Sequence, residues 1–164
     1  GSGRCGSDTD ISQLRNLWLR SPDERLAGWR EFRIELQSSY DCDRDVLSSL
    51  TAISTWWQQA PIVSVALDPF NSKSWPTVWE IIYQGECCKY SRGLAMAYNI
   101  HYIDPKADVA VHRVHDHQYG DEYMIATWGS LAVNSQHGQI VDLHDVESIE
   151  IRESFLIDLC LLQH

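Results

Sequence analysis

Two adjacent cysteines and a histidine-rich tract are the residues in this chain whose types could do chemistry. Cys87 and Cys88 follow Gly85-Glu86 directly, and His112, His115 and His117 come later in the run His112-Arg113-Val114-His115-Asp116-His117. A cysteine is a nucleophile only as its thiolate, so its surroundings decide whether it reacts. The histidines invite a metal reading, yet on a strand His115 and His117 share one face while His112 points to the other. Three ligands therefore do not converge, and neither a metal nor a cofactor is expected.

The thiols are positioned by the stretch from Trp75 to Ile100, which reads as two helices joined at Gly85. Pro76 fits a first helical turn, where a missing N–H is tolerated, and Gly85 fits an exit through positive φ. Both cysteines then fall at the start of the second helix, where the helix dipole favours a thiolate. Small residues at Ser91, Gly93, Ala95 and Ala97 let a strand approach that helix closely.

Upstream, the pattern is helical. Asp10 and Gln13 resemble a capping box ahead of Ile11, Leu14, Leu17 and Trp18, and Ser21-Pro22-Asp23-Glu24 is a second, stronger start signal. The helix it opens carries Leu26, Trp29, Phe32 and Leu36 on one stripe, with Glu24, Arg25, Arg30, Glu31 and Glu35 on a solvated face. A third helix is expected from about Asp45 to Gln59, ended by Ala60-Pro61. Ile62 to Leu67 reads equally as a short strand or a connector, and Asp68 to Ser74 as a loop.

Beyond Asp104-Pro105 the apolar period changes from 3.6 to 2. Strands around Val109–Val114 and Tyr123–Trp128, a turn at Gly129-Ser130, a strand at Leu131–Asn134 and another near Ile140–Leu143 form an antiparallel meander. Val146 to Leu162 is read as a strand followed by a short helix. The class is α+β, with N-terminal helices and the cysteine-bearing helix packed on the meander.

A chain of 164 residues suits one core, so residues 1–9 are expected to be a flexible lead or tag remnant and 10–164 a single domain. Thirteen basic against 23 acidic residues give a net charge of −10, which disfavours nucleic acid and anionic membrane as partners. The most apolar stretch, Phe155 to Leu162, is broken by Asp158 and far short of the roughly 20 residues of a membrane span. Five cysteines at irregular spacing make no disulfide framework. A reducing compartment is expected, with Cys42 and Cys160 as small buried hydrophobes.

Gly85-Glu86-Cys87, opening a helix ahead of a meander, resembles the transglutaminase-like cysteine fold. In that family a histidine opens the strand before a turn such as Gly129, and an Asp or Asn closes the next. Here the opening position reads Asp121-Glu122, and Asn134 stands at the third position. The resemblance implies a cysteine-dependent acyl transferase or amide hydrolase with Cys87 or Cys88 as nucleophile. A base would have to come from His112, His115 or His117, oriented by Asn134 or Asp142.

A second set of motifs runs from Ser21 to Ile100: Trp56-Trp57, Ala60-Pro61, Asp68-Pro69, Trp75-Pro76-Thr77-Val78-Trp79-Glu80-Ile81-Ile82, Gly85-Glu86-x-Cys88 and Leu94-x-Met96-x-Tyr98. These resemble small tailed-bacteriophage proteins with the motif Trp-Pro-Thr-Pro-Trp-Glu-Leu-Ile, from which Val78 departs. In that pattern Cys88 is the aligned cysteine. The resemblance implies a phage structural component in the host cytoplasm or virion. The leading expectation is accordingly a non-enzymatic interaction or assembly protein on a degenerate transglutaminase-like domain, its partners other proteins. Seven tryptophans are a heavy load, and Trp75 and Trp79 are the candidate partner-binding pair.

Overall fold

A computed structural model describes residues 17–64 and 67–157. Among these residues the chain runs as four α-helices followed by a five-stranded antiparallel sheet, an α+β fold. The capping-box helix expected around Asp10 lies largely outside the described residues, as do Cys160 and the end of the expected C-terminal helix.

Helix α1 spans Pro22–Asp43. Ser21 caps it by accepting the N–H of Glu24, Pro22 fills the first position, and Arg44 ends it in the left-handed region at φ 53°. Trp29, Phe32, Leu36 and Tyr40 form its buried stripe. Arg25, expected on the solvated face, is buried with them because its guanidinium has carbonyl partners on another helix.

Helix α2, Val46–Gln58, is capped by Asp45 and buries Leu50, Ile53, Trp56 and Trp57. The segment after Pro61 is a connector that makes one parallel bridge, Ile62 to Cys87. Helix α3, Val78–Gln84, has a capping box of Thr77 and Glu80, so Pro76 stands before the cap rather than in the first turn. A threonine side chain that accepts the N–H of Glu80 sets the start, which proline cannot do.

Helix α4, Lys89–Ile103, is buried almost all round, from Ser91 through Leu94, Met96 and Tyr98 to Ile100 and Ile103. It is the middle layer, with α1, α2 and α3 on one side and the sheet on the other. Tyr40 ties α1 to its end by donating to Asp104 at 3.1 Å.

The strands are β1 (Val109–Asp116), β2 (Asp121–Trp128), β3 (Leu131–Val133), β4 (Val141–Asp142) and β5 (Ile149–Leu156), in the order β4-β3-β2-β1-β5. The first four are the expected meander, and β5 returns to pair with β1 across a register shift between Arg113 and Val114. Val109, Val111, Met124 and Ala126 face the main core, while Val114, Tyr123, Ile125 and Ala132 build a smaller cluster on the opposite face. Among the described residues no helix is long and apolar enough to cross a membrane.

Candidate functional site

Gly85 leaves α3 at φ 77°, as its position after the helix requires. The carbonyls it leaves exposed are met by Arg25, which donates from Nε to the Ile82 carbonyl at 2.9 Å and from Nη2 to that of Tyr83 at 2.6 Å, and also to Arg20. Three residues after Glu86 the chain enters α4.

Cys87 lies just before that helix and is locked into the connector. Its N–H donates to the Pro61 carbonyl at 3.0 Å, and its carbonyl accepts the N–H of Val63 at 2.9 Å. Cys88 is the N-cap: its Sγ accepts the N–H of Ser91 at 3.4 Å, while Ser91 Oγ accepts the N–H of Cys88 at 2.9 Å. Neither thiol is disulfide-bonded, and both are fully buried, at 0% exposure.

Burial pushes the Cys87 thiol up to about 12. Arg92 opposes that rise, while Cys88 and Glu86 add to it. The helix-start position therefore does not yield a thiolate, because removal from water outweighs the dipole and the nearby cation. Cys42, expected as a small buried hydrophobe, is exposed near the end of α1 and disulfide-bonded, so the expectation of a buried reduced thiol does not hold there.

Asn134, left-handed at φ 69°, sits against the first turn of α4. Its Nδ2 donates to the carbonyls of Lys89 and Met124 at 2.8 and 2.7 Å, and its Oδ1 accepts from Arg92 Nε at 2.6 Å. Both ends of the amide are thus engaged in holding the helix to β2.

The strand opening, Asp121-Glu122, is equally engaged. Lys89 pairs with Asp121, which also accepts from Gln136 at 3.2 Å, and Tyr90 and Arg113 both donate to Glu122 at 3.3 and 3.1 Å. Burial works against the Asp121 carboxylate, but Lys89 outweighs it and holds its pKa below the usual range. Burial and Glu122 together push the Tyr90 phenol up to about 12.

The histidines are occupied elsewhere. His112 faces away from α4, its ring nitrogens in hydrogen bonds with Ser154 at 2.8 Å and Thr127 at 2.9 Å, and burial lowers its pKa. His117 pairs with Glu150 at 2.7 Å, and the ring of His115 stacks edge-on against it. Asp142 accepts the N–H of His144 at 3.0 Å and caps a short turn. The fold thus brings Cys87, Cys88, Arg92 and Asn134 together at the start of α4 and turns His112 and Asp142 to other tasks. Among the described residues no group of three or more His, Cys, Asp or Glu side chains could hold a metal.

Of the tryptophan pair, Trp75 is 1% exposed, donates to the Asp68 carbonyl at 2.7 Å and stands edge-on to Phe155, so it is a core anchor. Trp79 is 43% exposed and rests edge-on against Trp29 at 4.6 Å. Lys89, Tyr90, Arg92, Arg113 and Gln136 were not among the expected site residues. Arg92 carried a signal: a cation on a helix face otherwise built of small and apolar residues needs a buried partner.

No protein-family model matches the sequence, and no curated protein does. Solved structures do match in fold. The calcium-bound form of Legionella pneumophila LapG superposes with a TM-score of 0.68 at 11% identity, over 90% of this chain and 84% of that one. A second LapG structure gives 0.66 at 13% identity, over 92% and 84%, and an EGTA-treated form gives 0.65 at 13%, over 90% and 82%. The chain therefore shares its fold with these structures.

Proposed function

We propose that the chain is a non-enzymatic interaction or assembly domain on a degenerate transglutaminase-like scaffold. One observation carries this reading: the strand opening facing the cysteine helix is filled by the Lys89–Asp121 and Tyr90–Glu122–Arg113 contacts instead of a histidine. A thiol that is both sealed from water and held protonated lacks an oriented base, and nucleophilic catalysis needs one. The partners are other proteins, and Trp79 with the 59%-exposed Tyr83 on the outer face of α3 supplies the aromatic contact. The Trp75-Pro76-Thr77-Val78-Trp79 motif supports a phage structural role, in the host cytoplasm or virion.

A second reading, a cysteine-dependent acyl transferase or amide hydrolase, is favoured by the placement of Cys87 against the start of α4 in this fold. Iodoacetamide labelling of the folded chain across pH, read by peptide mass spectrometry, separates the two. The assembly reading expects Cys87 and Cys88 to stay inert below about pH 9; labelling that follows a pKa below the free value of about 8.5 would establish the enzyme instead. Size-exclusion with candidate virion proteins tests the positive half, and an inert monomer against all of them would count against assembly.

A further inference from the structure

Between α1 and α4 lies a cleft of about 470 Å³ whose walls include Arg33, Gln37, Asp41, Asn99 and Tyr102, within the size range of small-molecule sites. Asn99 is 0% exposed, and its Oδ1 accepts the indole N–H groups of Trp29 at 3.1 Å and Trp57 at 2.7 Å. Indole nitrogens only donate, so the two rings fix which end of the amide is oxygen and leave the NH₂ group over. That nitrogen meets no acceptor, and neither does the buried Nε of Arg33 on the same cleft.

Among the described residues Arg33 makes no ion pair. Its guanidinium is set against the rings of Trp29 at 4.4 Å and of Trp79 and Tyr102 at 5.2 Å each. A charged fork, two buried donors without acceptors and the apolar side chains of Ile34, Tyr102 and Ile103 share one cavity. Buried donors are ordinarily satisfied, so the pair calls for an acceptor from outside the chain.

We propose that this cleft binds a small monocarboxylate with an aromatic or apolar body, its oxygens received by Arg33 and Asn99. A planar carboxylate matches the guanidinium fork. Burial lowers the Arg33 pKa, and a bound anion would offset that lost hydration. Asp41 at the other end of the cleft, held by Gln37 at 3.0 Å, and the net charge of −10 disfavour a second negative group.

The test is a titration of the ¹⁵N-labelled full chain with benzoate, benzamide and inorganic phosphate, followed on the indole signals of Trp29 and Trp57 and the side-chain amide of Asn99. Benzoate should give saturable shifts with a dissociation constant of about 1 mM or tighter, and benzamide and phosphate should bind about tenfold more weakly or not at all. Arg33→Gln should weaken benzoate about tenfold, and Arg33→Lys should restore part of it. Absence of saturable shifts, equal binding of benzamide, or undiminished binding to Arg33→Gln would overturn the site. If Arg33→Gln does not fold, the benzoate and benzamide comparison on the parent chain decides alone.

Discussion

Cys87 illustrates how surroundings convert a reactive residue type into a packing residue, and its titration makes the point measurable. The thiol is neutral when protonated, and its folded pKa of about 12 lies above the ordinary 9.0. Above pH 9 the unfolded chain therefore releases a proton that the folded chain keeps. The thiol's contribution is complete below about pH 9 and is lost as pH rises toward 12. At about 1.4 kcal/mol per unit, the loss is at most about 4 kcal/mol across that window. Urea midpoints of the parent should fall more steeply from pH 9 upward than those of Cys87→Ala, in which Tyr90 still titrates; parallel profiles would show that Cys87 is not held protonated. Asn99 offers a second test at this scale. Asn99→Ala would strand the indole N–H groups of Trp29 and Trp57 in the core, at about 1–3 kcal/mol each. Chemical denaturation should show a loss of about 2–5 kcal/mol, whereas a loss under about 0.5 kcal/mol would mean that water reaches both indoles.

At the scale of elements, two glycines set where α4 lies. A Cβ on Gly93 would meet the backbone of Met124 on β2, 2.8 Å from its carbonyl carbon, so helix and strand would have to separate. A Cβ on Gly85 would lie 2.8 Å from Arg25 Cζ, and φ 77° adds about 1–2 kcal/mol of backbone strain. Arg25 can swing away, though only by giving up the α3 carbonyls. Thermal melts should therefore rank Gly93→Ala below Gly85→Ala, with both below the parent; a Gly93→Ala melt equal to the parent's would mean that the α4–β2 contact is loose. The close approach at Gly93 was legible in the small-residue pattern, as were the turn at Gly85, the cap at Ser21, and the meander. Local rules of spacing and capping govern those features. Arg25 was not legible, because its carbonyl partners lie on another helix and helical periodicity places it only relative to its own turn. The same holds for the site: Gly85-Glu86-Cys87 is a local signal, whereas Lys89 with Asp121 and Arg92 with Asn134 meet only once α4 is laid on the sheet. Even the backbone bonds that hold Cys87 come from Pro61 and Val63, more than 20 residues away in the sequence.

For the molecule as a whole, the question is whether helices and sheet are one cooperative unit. A single cluster of buried side chains runs from Trp18 through Trp29, Leu50, Trp57 and Met96 to Val111, Ala126 and Val133, so the inner sheet face has no core of its own apart from the helices. Among the described residues the outer face offers only Val114, Tyr123, Ile125 and Ala132 as buried apolar side chains. Such a small cluster is too little to offset the conformational entropy of ordering five strands, roughly 1–2 kcal/mol per residue. Loss of the helical layer should therefore take the sheet with it. The tryptophans allow the two layers to be watched separately, since Trp18, Trp29, Trp56, Trp57, Trp75 and Trp79 precede the sheet and only Trp128 lies on a strand. Tryptophan fluorescence thus follows mainly the helical layer, while amide exchange of β1 and β2 follows the sheet. Under increasing urea the fluorescence midpoint and the collapse of amide protection at Val111, Ile125 and Ala126 should coincide, as two-state unfolding requires. Protection surviving in β1 and β2 after the fluorescence change is complete would divide the chain into two units. The path from Trp18 to Val133 would then be contact between neighbours and not a common core.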